Sequence, residues 1–110
     1  MSAFYTIRDR WVLTYQPERW PLGFITGYPE GETFVVEHVV NTSGVLGVTL
    51  AMMRAGLEEA WARGFTSVRF HVPHAYPPAA ALAEIGRRLG FVEQWRTEDA
   101  VYFVRQRAAA

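Results

Sequence analysis

Between Phe34 and Val40 the chain is almost continuously apolar, FVVEHVV, and beyond Leu46 the apolar spacing widens to that of a helix. A run of β-branched and aromatic residues that is apolar on both faces predicts a strand buried in a sheet. The helical stretch places Leu46, Leu50, Met53, Leu57 and Trp61 on one stripe, with Arg54, Glu58, Glu59 and Arg63 off it. The pattern predicts one helix over Val45 to Arg63, packed on a sheet through that stripe and capped by Gly64. Asn41, Thr42 and Ser43, between strand and helix, are turn and N-cap residues, and Gly44 follows where a tight backbone path is expected. A strand entering a helix through such a loop directs free N–H groups and the positive end of the helix dipole at one spot. That spot suits an anion, commonly a phosphate.

The rest of the chain alternates the same two periods. Phe4 to Tyr15 reads as one strand or a broken pair, Leu22 to Tyr28 as a strand, and Thr33 to Val40 as its antiparallel return after the turn Pro29-Glu30-Gly31-Glu32. Trp20, in the loop between the first two, reads as a lid on the core. In Thr66 to Val72, Val68, Phe70 and Val72 share one face and Ser67, Arg69 and His71 the other. The strand-helix-strand order implies a right-handed crossover and parallel pairing in this half. Ala80 to Leu89 reads as a helix with Leu82, Ile85 and Leu89 inward, stopped by Gly90. Phe91 to Arg96 and Ala100 to Arg107 form a closing hairpin.

The length of 110 residues implies one domain spanning the whole chain. A formal net charge of +0 argues against nucleic acid or an anionic membrane surface as the main partner. The longest uncharged run, Val39 to Met53, is too short to span a bilayer, and the first residues lack a signal pattern, so a cytoplasmic location is expected. With no cysteine there is no thiolate nucleophile and no cysteine metal site. All the basic residues are arginine, so the chain offers no lysine side chain for acylation. His38, His71 and His74 have no carboxylate at ligand spacing and read as ordinary polar histidines, so no metal is expected.

In its stretches GFITGYPEGETFVVEHVV, LAMMRAGLEEAWARGFTSVRFHVP and RRLGFVEQW, and in their order, the chain resembles the GCN5-related N-acetyltransferase family from about Leu22 to Arg107. The resemblance implies an α/β (α+β) fold: a mixed, mostly antiparallel sheet of about six strands with two main helices. It also implies acetyl-CoA as cofactor. The pyrophosphate would lie against the backbone of Ser43, Gly44, Val45, Leu46, Gly47 and Val48, and the pantetheine arm would run past Val39 and Val40, between that strand and Thr66 to Val72. The family's loop reads Gln/Arg-x-x-Gly-x-Gly/Ala. Here Gly44 falls at the first place, Gly47 on the first glycine and Thr49 on the last, where a β-branched side chain would crowd a cofactor.

The family often carries a tyrosine four residues before the glycine of Leu-Gly-Phe to protonate the leaving thiolate. That position is Gly86, and Ala79 stands where an asparagine is common. Tyr76, in the preceding loop, is the nearby candidate acid. Deprotonating an ammonium acceptor needs a carboxylate or imidazole. Glu37 and His38 lie mid-strand, where the family places such a group, and simple alternation lets only one face a given cleft. Glu37, among valines, is the preferred base; an ion pair with an arginine is its alternative role. Residues 1–21 replace the family's strand and two helices, which wall the acceptor site.

Two functions stay open at this point. One is an acetyl-CoA-dependent N-acetyltransferase-like protein acting on a small-molecule or peptide amine. The other is a catalytically inactive module that keeps the fold for binding or assembly. With no helices over the first segment, Phe4, Tyr5, Trp11, Tyr15 and Trp20 predict a homodimer or larger homo-oligomer packed through that segment.

Overall fold

Seven strands form one sheet in the order β1-β2-β3-β4-β5-β7-β6, one more than the six expected. In this computed structural model, residues 2–7 and 10–108 are described, and the first of these segments by its backbone alone. The additional strand arises because the first aromatic segment divides into β1 (Ser2–Ile7) and β2 (Arg10–Tyr15), paired antiparallel. β3 (Gly23–Glu30) and β4 (Thr33–Asn41) extend the meander through a tight turn at Gly31. Helix α1 (Leu46–Ala62) then crosses to β5 (Ser67–Pro73), which lies parallel to β4 as the strand-helix-strand order requires. Helix α2 (Ala79–Arg88) and the hairpin β6 (Val92–Arg96) and β7 (Ala100–Gln106) complete the order.

Both helices cover one face of the sheet. Leu13, Ile25, Phe34, Val68, Phe70 and Phe103 form its buried floor. Both helices end in the same way. The N–H groups of Gly64 and Phe65 bond the carbonyls of Trp61 and Ala60, and those of Gly90 and Phe91 bond Arg87 and Gly86. This pairing satisfies the last carbonyls of each helix and turns the chain back toward the sheet.

The face that α1 buries differs from the expected stripe. Thr49, Met52, Met53, Leu57 and Ala60 are buried, whereas Leu46 is 55% exposed and Leu50 and Trp61 only flank the core. The helix is apolar around most of its circumference, so periodicity alone cannot select its inner face. Gly56 selects it: a Cβ there would meet Ile25 Cδ1 at 3.0 Å, so this side of the helix approaches the sheet most closely. Trp20 is also unlike the lid it was expected to be. It is 69% exposed, with the Arg19 guanidinium over its ring. Trp11 supplies the cover instead, packing edge-on to Phe65 at 5.3 Å and tilted against Phe34. Of the other aromatics expected at a contact with a second copy, Tyr15 packs against the core, and the side chains of Phe4 and Tyr5 lie outside the described residues.

Candidate functional site

The parallel pairing of β4 with β5 is short. It runs from Thr33↔Ser67 through Phe34↔Val68 to Val35↔Arg69, and there the strands part. β5 turns to β7 for the rest of its length, and β4 stays with β3. A cavity of about 670 Å³ fills the opening. Because it opens through the sheet, its wall combines Phe70 and Leu82 from the helix side with Glu37, His38, Arg69 and His71 from the other.

A β-bulge shapes one wall. Gly27 pairs with Val36 and Thr26 with His38, leaving Glu37 as the additional residue on β4. A bulge suspends simple alternation. The expectation that only one of Glu37 and His38 can face the cleft is therefore corrected: both line it, and both act electrostatically on His71. Glu37 is held by Arg10, whose Nε lies 2.8 Å from Oε1, and Arg10 also sits over the Tyr28 ring. Glu37 thus has the arginine partner weighed as its alternative role, while remaining on the cavity wall. His38 is exposed, with Nδ1 at 3.1 Å from the Thr26 hydroxyl.

His71 faces the same space from β5. Burial pushes its pKa below the ordinary value of 6.5, the nearby His38 lowers it further, and Glu37 opposes the shift. The imidazole is therefore neutral near pH 7. Behind it the Tyr102 ring stacks at 5.6 Å, and Trp95 stacks on Tyr102 at 4.6 Å. Alternation along β5 put His71 on a polar face, but its meeting with Glu37 needs the parted strands, which no local pattern signals. His74 turns away and bonds the Thr97 carbonyl.

The loop ahead of α1 is organised by one side chain. Asn41 Nδ2 donates to the Val45 carbonyl at 2.8 Å and to Thr49 Oγ1 at 2.9 Å, and its Oδ1 accepts from the Ser43 N–H and hydroxyl. Val45 stands at the N-cap with no side-chain cap, and its N–H bonds Ser43 Oγ. The Val48 N–H is taken by the Val45 carbonyl. Of the run Ser43 to Val48 expected to cradle an anion, the N–H groups of Ser43, Val45 and Val48 are thus engaged. Those of Gly44, Leu46 and Gly47 have no acceptor among the described residues. Gly44 adopts φ +76, a left-handed conformation that side chains disfavour, and open space surrounds the Cβ position of Gly47. Thr49, the residue expected to crowd a cofactor here, is 8% exposed, accepts from Asn41 Nδ2 through its hydroxyl oxygen, and stands on the wall of the space beside Gly44 and Leu46.

Tyr76 joins the two regions. It lines the large cavity and also a second one of about 200 Å³, which reaches Asn41, Gly44 and Leu46. Gly86, at the expected place of an acid, is buried under the ring of Phe70, whose Cζ lies 2.6 Å from where a Cβ would be. Val39 and Val40 line the large cavity between the bulge and the loop, Val39 also packing on the core.

Comparison of the sequence with protein-family models and with curated proteins finds no match. Solved structures do match. The chain superposes on an IAA acetyltransferase from Bacillus cereus with a TM-score of 0.76 at 9% identity, covering 90% of this chain and 79% of that one. The Campylobacter jejuni N-acetyltransferase PseH, solved with acetyl coenzyme A, gives 0.76 at 12% identity over 91% and 70% of the two chains. The ribosomal-protein-S18-alanine N-acetyltransferase from Escherichia coli gives 0.67 at 18% over 92% and 70%. With its parted strands and the loop-to-helix entry beside them, the chain has the fold of the GCN5-related N-acetyltransferases.

Proposed function

We propose that the protein is an acetyl-CoA-dependent N-acyltransferase acting on a small-molecule or peptide amine. The observation that carries this reading is a pair of neighbouring cavities that share Tyr76 and Leu82 in their walls, one reaching Gly44 and Leu46 at the open N–H groups and the other lined by the neutral imidazole of His71. The N–H groups suit a pyrophosphate in both direction and charge. Bound acetyl-CoA would supply an activated acyl group as a thioester. The Glu37 carboxylate favours an approaching ammonium, and His71 accepts the proton that the amine must lose before it can attack. Tyr76, which lines both cavities, would return a proton from its hydroxyl to the departing thiolate. Glu37 then acts through charge and through its pair with Arg10, with His71 taking the proton.

A second reading rests on Gly86. With that residue packed under Phe70, α2 presents no tyrosine to the cleft, as suits a module kept for binding or assembly. Release of free thiol from acetyl-CoA, followed across a panel of amines, separates the two. Turnover that falls by about a hundredfold in His71→Asn, within the range usual for a lost general base, supports the enzyme. No thiol release with any amine supports the module.

A further inference from the structure

We infer that the acceptor is a small amine carrying an anionic group roughly 6–7 Å from the reactive nitrogen, and that Arg69 binds the anion. The inference rests on the acyltransferase reading above and names the acceptor class for that site. Arg69 and His71 are two residues apart on β5, on the same face, and both line the large cavity. Two strand steps put their Cα atoms roughly 6–7 Å apart, and both side chains leave the strand on the same face. Arg69 stands where β4 and β5 are still paired, His71 beyond the point at which they part, and Tyr76 further on toward the open N–H groups. Cofactor and acceptor therefore approach His71 from opposite ends, the acceptor from the side of Arg69.

The space between Arg69 and His71 is walled by Tyr28 and Tyr102, with Val35 between them. Aromatic and aliphatic walls suit a short methylene chain. Arg69 is already partly desolvated, with 24% of its side chain exposed, and its guanidinium lies over Trp95 at 5.6 Å. Its ion pair is a single contact of 3.2 Å, through one terminal nitrogen, to Glu30, a side chain 59% exposed. An exposed pair of this kind contributes little to stability, and a guanidinium has donors left for a second acceptor. A carboxylate or a phosphate on the acceptor would meet them. A purely cationic polyamine would instead bring a second positive charge toward Arg69.

The test is the ratio of kcat/KM for ω-aminopentanoate to that for pentylamine, with glycine and aminobutyl phosphate as further arms. A ratio of about ten or more, falling toward one in Arg69→Gln, is the expected result and corresponds to one charge-assisted contact. Preference for the carboxylate or the phosphate identifies the anion, and glycine, with its charges too close, is a poor acceptor. Pentylamine or a polyamine preferred over both anionic acceptors overturns the inference while leaving the acyltransferase reading intact. A high ratio that Arg69→Gln leaves unchanged removes Arg69 from the role. If no acceptor turns over, the acyltransferase reading fails, and calorimetric titration with the same compounds still reads the anion subsite. Tenfold tighter binding of ω-aminopentanoate than of pentylamine retains the subsite, and equal binding rejects it.

Discussion

Replacing Asn41 by alanine removes four hydrogen bonds from one loop and tests whether this side chain shapes the anion site. Two run from Nδ2, to the Val45 carbonyl and to Thr49 Oγ1, and two enter Oδ1 from Ser43. Their losses are unequal. Thr49 is buried, so its hydroxyl would stand without its partner at a cost of about 1–3 kcal/mol. Val45 and Ser43 reach water, which replaces most of what they lose, so each adds about 0.5 kcal/mol. The sum is about 2–4 kcal/mol. Urea unfolding followed by tryptophan fluorescence should show the midpoint moving by about 1–2 M with an unchanged slope. Acetyl-CoA affinity should fall in the same variant, because the open N–H groups of Gly44, Leu46 and Gly47 would lose their fixed direction. A stability loss below about 0.5 kcal/mol, with binding intact, refutes the claim that Asn41 organises the loop.

Three further outcomes follow from packing and charge. Gly86→Ala drives a methyl group into Phe70, which is held between Phe91 and Phe103, and should destabilise by about 1–3 kcal/mol less the gain in helix propensity of about 1 kcal/mol. In a Phe70→Leu background the same change should become stabilising, and urea melts of the double-mutant cycle check the reversal of sign. Met52→Ala, at a fully buried position, should cost about 2–5 kcal/mol by chemical denaturation, whereas Leu46→Ala, at a mostly exposed one, should stay within about 0.5 kcal/mol. The unfolded chain binds a proton to His71 more readily than the native protein does, whose imidazole faces His38, Glu37 and Tyr102. The stability tied to this group is therefore complete above pH 6.5 and lost as the pH falls below it, and His71→Asn should remove that part of the pH dependence of the urea midpoint.

Much of the fold is legible in local pattern, because each element obeys a period that its neighbours do not disturb. β4, α1, β5 and the closing hairpin fall within a residue or two of where alternation, helical spacing and Gly64 or Gly90 place them. The inner face of α1 is not legible, since apolar residues surround that helix and the close approach at Gly56 exists only once Ile25 lies beneath it. In the site, Glu37 and Tyr76 lie on the cavity wall as their types and positions suggest. The pairing of Glu37 with His38 on one wall escapes alternation because the bulge shifts the phase of β4 relative to β3. His71 escapes for a different reason: its neighbours across the cleft are 33 and 34 residues earlier in the chain, and only the divergence of β4 from β5 brings them together. In the loop, NTSG signals a turn, but which of its N–H groups remain open depends on how the Asn41 amide is directed.

The central claim is that the open N–H groups at the start of α1 receive an acyl-CoA whose thioester end reaches His71. Isothermal titration of the protein with acetyl-CoA, alongside Gly47→Val, tests it most directly. A Cβ at Gly47 has open space around it, with no atom beyond its own helix turn within 4 Å, so the thermal midpoint should hardly move while a valine side chain fills the space that the pyrophosphate needs. The account predicts saturable binding by the native chain and none by the variant at the same stability. Binding that survives in Gly47→Val, or no binding by the native chain, contradicts it.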